Sequence, residues 1–385
     1  MGAQFAEELS SRVVAKGERS LDLLSSTVVC TIWQFYFTHA RPCIGMFLGI
    51  VRSLIVYLRL DRPIDVVLAR PKLPKFPDLS EMSGERTDEE RRIMVTCFAS
   101  FAMISMSLKY DPIRWSPQHE ESCQKLSQNL HIFGDQVLVA ITRISKVSIE
   151  AASMIQRLSE DPEYAAHALL HVKTLRLMLD QTKSSLTPEQ LHHTLVQSFL
   201  HATYVHIYEA ALLHPPTSPM SQPVLDLQRT EYLTACMYAT KKALDNYVST
   251  SMIHMNMHSI LSFSHAAQTL YKLSVLDYPG WDRTMVRATI DVMWYFEQAA
   301  CKMEEASEML KPECGDGVEN IYSHAGPAWR STAAIWREGL ESAMAIPEPE
   351  VGPIGEDSGA IGFPTMDTSW LSIPDDIWFS NFFAR

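Results

Sequence analysis

Apolar residues recur every three to four positions through most of this chain, and sustained two-residue alternation is absent. That rhythm lines one face of a helix, whereas strands alternate with period two. It predicts a short amphipathic helix over 3–16 ended at Gly17, then a helix of about 18 residues capped by Ser20. There Leu21, Leu24, Val28, Ile32 and Phe35 keep the period. Val29, Trp33 and Phe37 fill the other faces, so this helix is expected to be surrounded by neighbours. Pro42 suits the first turn of the next helix, running to about Leu58, where Gly45 and Gly49 would let helices approach closely.

Capping boxes at Thr87–Glu90 and Thr187–Gln190 open helices to about Leu108 and Leu213, since each side chain can satisfy the other residue's backbone N–H. Met94, Cys97, Phe101 and Ile104 form the inner stripe of the first. Further helices are expected from Ser116-Pro117 to Asn129, and near 135–158, 162–182, 228–248 and 252–276. L-D-Y-P-G-W-D at 276–282 turns the chain into a long helix to about Leu310, with Val286, Ile290, Met293 and Ala300 inward. Pro312 should end it, and a last helix near 326–345 carries Trp329, Ala333, Trp336 and Leu340 as its seam. The expected fold is all-α, a large array of packed, mostly antiparallel helices over residues 1–345. Proline-rich loops interrupt it at 59–86 and 214–224, and an acidic, aromatic, flexible tail follows at 346–385.

Composition narrows the function. The 385 residues carry a net charge of −12, which repels a phosphate backbone, so direct sequence-specific DNA binding by this chain is not expected. Five cations in the first loop (Arg59, Arg62, Arg70, Lys72, Lys75) read as a solvated segment. Arg41-Pro42 and Arg52 interrupt the apolar stretch from Leu21 to Leu58, leaving neither half the roughly 20 apolar residues a membrane span needs. The seven cysteines are scattered without a C-x-x-C pair and read as reduced, buried thiols of a reducing compartment.

Catalytic motifs are absent: no phosphate loop, no G-x-S-x-G, no H-E-x-x-H. His254, His258 and His265 share one helical face, and two imidazoles four residues apart can bind zinc. The intervening Met255, Asn256 and Met257 supply no general base, and packing histidines are the stronger reading. Among His192, His193, His201 and His206 only His193 and His201 share a face, with no acid–base partner indicated. Asp375-Asp376 lacks the further carboxylates of a metal–diphosphate site. No catalytic, cofactor or metal residue is therefore assigned, and the chain is read as a non-enzyme. The tail is a stronger candidate for binding. Trp370, Leu371, Ile373, Ile377, Trp378, Phe379, Phe382 and Phe383 are interspersed with Asp367, Asp375 and Asp376, the acidic–aromatic mixture of activation segments. One or two helical turns would offer Ile377, Trp378 and Phe382 to a partner's groove, or let the segment dock on the chain's own body.

Several stretches, in order, resemble the regulatory domain of fungal Zn2Cys6 zinc-cluster transcription factors: G-E-R-S-L-D-L-L at 17–24, the Trp33–Tyr36 aromatics, Arg41-Pro42, and L-R-L-D-R-P at 58–63. D-E-E-R-R at 88–92, Y-P-G-W-D at 278–282 and Asp375–Trp378 continue the likeness. The resemblance implies nuclear control of transcription, often of a metabolic or secondary-metabolite gene set. It implies as partners the transcription machinery or a DNA-binding protein, and it accommodates a small-molecule effector and a dimer. The family's six-cysteine zinc module does not occur in these 385 residues, so zinc would belong only to a module in front of them. The expectation is a truncated chain or a regulator that has lost its reader. The alternative is a helical ligand-binding or scaffold protein with no transcriptional role.

Overall fold

The computed structural model describes residues 2–33, 44–64, 85–107, 110–165, 167–213, 222–251, 255–278, 280–314 and 321–342. Among these residues the regular structure is helical throughout, in two compact units, 1–270 and 271–385. No described helix is long and apolar enough to cross a membrane.

The first unit begins with α1 (Gly2–Ser10), continued by a π-helical turn over Ser11–Ala15, then α2 (Leu21–Ile32) and α3 (Ile44–Tyr57). Ser20 caps α2 as expected, its hydroxyl accepting from Leu23 N–H at 3.2 Å. Leu24, Val28, Val51 and Leu54 are fully buried where α2 and α3 pack. The surroundings are less complete than the sequence suggests. Val29 on α2 is 55% exposed and Val56 on α3 is 54% exposed. Gly45 does allow a close approach, because a Cβ there would sit 2.6 Å from the Tyr110 hydroxyl, but Gly49 faces open space. The chain leaves α3 through L-R-L-D-R-P with Arg59 at a positive φ of 54°. The Arg86 guanidinium holds that turn, donating to the carbonyls of Arg59 (2.6 Å) and Arg62 (2.8 Å).

Then come α4 (Asp88–Ser107), α5 (Pro117–Ser127) and α6 (Phe133–Glu160). The Thr87 box forms: Thr87 N–H donates to Glu90 Oε2 at 2.8 Å and Glu90 N–H to Thr87 Oγ1 at 3.2 Å. The expected stripe of Met94, Cys97, Phe101 and Ile104 is buried. Arg92 grips Asp135 on α6 with two hydrogen bonds of 2.8 and 2.9 Å, and Asn129 joins Asp135 to Asp88. The Asp135 side chain is 4% exposed, and the Arg92 hydrogen bonds hold its carboxyl below the usual carboxylate range.

Two helices expected to be continuous are broken. The segment after Asp161 divides into α7 (Pro162–Ala165) and α8 (Ala168–Ser184). The one after the Thr187 box divides into α9 (Pro188–His192) and α10 (Thr194–Tyr208), because His193 adopts an extended φ/ψ of −71°/123°. A 3₁₀ turn over Glu209–Leu212 ends α10, and α11 (Gln222–Ser249) follows. The unit boundary falls inside α12 (Met257–Val275).

In the second unit, Gly280, Trp281 and Asp282 of Y-P-G-W-D each fix part of a turn. Gly280 takes a φ of 83°, which side-chain-bearing residues rarely adopt. The Trp281 indole donates to the Leu273 carbonyl at 2.9 Å. Asp282 caps α13 (Arg283–Thr289) through Thr284 and Met285 N–H at 2.9 and 3.0 Å. The expected long helix is interrupted at Ile290, whose extended backbone precedes α14 (Val292–Cys314). Asp291 restarts the helix by accepting from Met293 N–H. α14 runs through Pro312, where the sequence suggested its end, and packs on α15 (Ile321–Ser342). Trp329 and Trp336 are buried in that seam, each within 5.5 Å of the Phe296 ring centre.

Candidate functional site

The chemistry of the first unit gathers where α10 lies beside α12. Phe199 stacks on His258 with ring centres 3.6 Å apart, and His206 stacks on His265 at 4.2 Å. On each helix the two positions are seven residues apart, about two turns or 10.5 Å of rise. The pairs are thus successive rungs, and α10 and α12 run in the same direction there. Seven residues return a helix nearly to the same azimuth, so one stripe supplies both rungs.

The rungs differ in chemistry. His258 is buried against Phe199, with Ser262 Oγ 3.3 Å from its Nε2. Burial, then the neighbouring His206, lowers its pKa to about 3, so it is neutral at physiological pH. Beside it Met103, Met106, Ser145, Ser148 and Thr203 bound a void of about 10 Å³, at the lower limit for one water. This rung is packing.

The second rung carries a carboxylate. Three residues after His206, at the start of the 3₁₀ turn, Glu209 places Oε2 3.0 Å from His265 Nε2. His206 Nδ1 lies 2.7 Å from the Ala202 carbonyl, which fixes the proton on Nδ1 and leaves Nε2 as the acceptor nitrogen. Burial and the adjacent His265 hold the His206 pKa down at about 4. One donor atom from each of His206, Glu209 and His265 lies within 4.8 Å of the others, the cluster that could hold a metal ion among the described residues.

His258 and His265 do share a face of α12, but they occupy different rungs, and His254 lies outside the described residues. His193 begins α10 with an extended backbone and meets Phe133 edge-on, so its proposed shared face with His201 does not exist. His201 instead lines an open, polar surface groove of about 470 Å³ with Gln197, Lys242, Asp245, Asn246 and Ser249. Small-molecule sites are usually enclosed and mostly apolar, and this groove is neither. Sequence reading missed Glu209 as a partner of His206, although the H-x-x-E spacing was visible; that His265 comes to meet them was not. The candidate docking residues Trp370, Leu371, Asp375, Asp376, Ile377, Trp378, Phe379, Phe382 and Phe383 lie outside the described residues.

Comparison with known proteins gives this architecture a context. A family model described as a C-terminal domain matches residues 250–385. The chain is 24% identical over 373 residues to transcription factor opdL of Penicillium oxalicum, covering 91% of this chain and 62% of that protein. It is 27% identical over 272 residues to an Aspergillus terreus protein named transcription factor, covering 66% of this chain and 44% of that one. The chain is similar to a fungal transcription-factor regulatory domain. It spans less than two thirds of the length of these curated relatives. No solved structure matches it.

Some of the stretches that carried the resemblance fasten the described residues together, whereas Arg41-Pro42 and Asp375–Trp378 lie outside those residues. Arg59–Arg62 is the turn clasped by Arg86, Arg92 is the grip on Asp135, Trp281 anchors on the Leu273 carbonyl and Asp282 caps α13.

Proposed function

We propose that this chain is the regulatory portion of a fungal transcription regulator of the zinc-cluster type, acting in the nucleus on a metabolic or secondary-metabolite gene set. The observation that carries the reading is similarity across 91% of the chain to a protein named as a transcription factor. Two physical features support it. The net charge of −12 is unsuited to gripping DNA, so contact with the genome is made through other residues than these or through a DNA-binding partner. The void beside His258 is only water-sized and the groove at His201 is open and half polar, so neither resembles an enclosed apolar substrate pocket.

In this reading residues 1–345 form the helical regulatory body, and 346–385 form the segment that engages the transcription machinery through Trp370, Trp378, Phe379, Phe382 and Phe383. The body would shift between states that withhold and release the segment, each favoured by a different ligand or partner. Fusing residues 346–385 to a heterologous DNA-binding domain tests it. Reporter activity that falls with Trp378→Ala supports the segment's role; a silent fusion, unchanged by that substitution, removes it.

A further inference from the structure

We propose that His206, Glu209 and His265 form a binding site for one divalent transition metal, with zinc the best match. Two imidazole nitrogens and one carboxylate oxygen are a frequent protein ligand set for zinc, with a fourth position left to water or another ligand. The donors come from two elements fixed independently of any ion. His206 and Glu209 are three residues apart across the end of α10, and His265 stands opposite on α12.

Three observations support a site rather than chance proximity. One donor from each residue already lies within 4.8 Å of the other two, whereas donors around a bound zinc stand about 3–3.5 Å apart, at roughly 2.0–2.2 Å from the ion. The 2.7 Å contact from His206 Nδ1 to the Ala202 carbonyl is the outer hydrogen bond that metal-ligating histidines commonly make. It sets the tautomer that leaves Nε2 able to ligate. The side chains of His265 and Glu209 are 25% and 13% exposed, giving an ion a route in while the surrounding helices limit hydration. The two rings lie nearly parallel, at 9°, so their lone pairs lie in parallel planes. Binding would require them to fan apart by side-chain rotation, and His265, the more exposed, has the room. Occupancy would tie the end of α10 to α12, a connection through which metal availability could stiffen the first unit. This departs from the sequence expectation that the chain holds no cofactor of its own.

The test uses the full chain, stripped with chelator and titrated with Zn2+ and Co2+. Expected are one equivalent of either metal, a visible Co2+ spectrum of four-coordinate nitrogen and oxygen ligation, and a higher melting temperature with Zn2+. His265→Gln and Glu209→Gln should each weaken binding by more than the roughly 10- to 100-fold that loss of an outer partner costs. Both variants should keep the far-ultraviolet helical signal of the parent, which separates lost ligation from lost folding. A parent chain that takes up no metal overturns the proposal. So does metal retained undiminished by both variants, or a Co2+ spectrum showing thiolate ligation, since either places the ion elsewhere.

Discussion

Acid should destabilise this fold before its carboxylates titrate, through histidines buried in neutral form. His258 and His119 are 5% and 1% exposed, and burial lowers their pKa values to about 3 and about 4. In the unfolded chain each returns to about 6.5. Below that value the unfolded state binds protons that the native state refuses, so stability falls with pH from about 6.5 down to the native pKa values. At pH 5 the gap to the unfolded pKa is about 1.5 units, or about 2 kcal/mol for each histidine and about 4 kcal/mol for the pair. Against a typical total of about 5–15 kcal/mol this is a large fraction. The assay is urea unfolding at pH 7.5 and pH 5.0, with chelator present to keep metal out of the comparison. The midpoint should fall clearly at pH 5.0 with little change in slope. His258→Leu keeps an apolar group of similar size on Phe199 and removes one proton-linked site, so its loss between the two pH values should be about 2 kcal/mol smaller than the parent's. Equal losses in parent and variant, or a parent equally stable at both pH values, would show that these histidines are not protonated on unfolding in this range.

Other expectations concern the fastenings. Asp135→Ala leaves Arg92 and Asn129 without their shared acceptor and should cost about 3 kcal/mol, measured by chemical unfolding. Trp329→Ala empties a fully buried site beside Phe296 and should cost about 3–5 kcal/mol, seen as an earlier melt of the second unit. Asp282→Ala removes a cap with two N–H donors and should cost about 1 kcal/mol, with Asp282→Asn recovering most of it.

Much of this fold was legible in the sequence because its cues are local. Capping at Ser20, Thr87 and Thr187 depends on residues within one turn, and those side chains sit where the spacing put them. The helical stripe through Met94, Cys97, Phe101 and Ile104 is likewise a property of one element. What escaped depends on more than one. His193 breaks its helix though nothing in H-H-T-L-V forbids continuation, and Ile290 does the same between two regular periods. The exposure of Val29 and Val56 could not be read from apolarity, which states a preference for burial and not its satisfaction. The imidazole–carboxylate cluster shows the same limit: two of its three members, H-x-x-E, lie on one stretch, while the third arrives from 56 residues further along at His265. The acidic–aromatic segment was read on composition alone, and its role rests on the fusion experiment.

Chromatin immunoprecipitation of the endogenously tagged protein, with transcript profiling of its deletion strain, decides whether this chain works in transcriptional control. A transcription regulator should be nuclear and enriched at a defined set of promoters, and its deletion should alter expression of those genes. A protein absent from chromatin, whose loss leaves the transcript profile unchanged, would contradict that role.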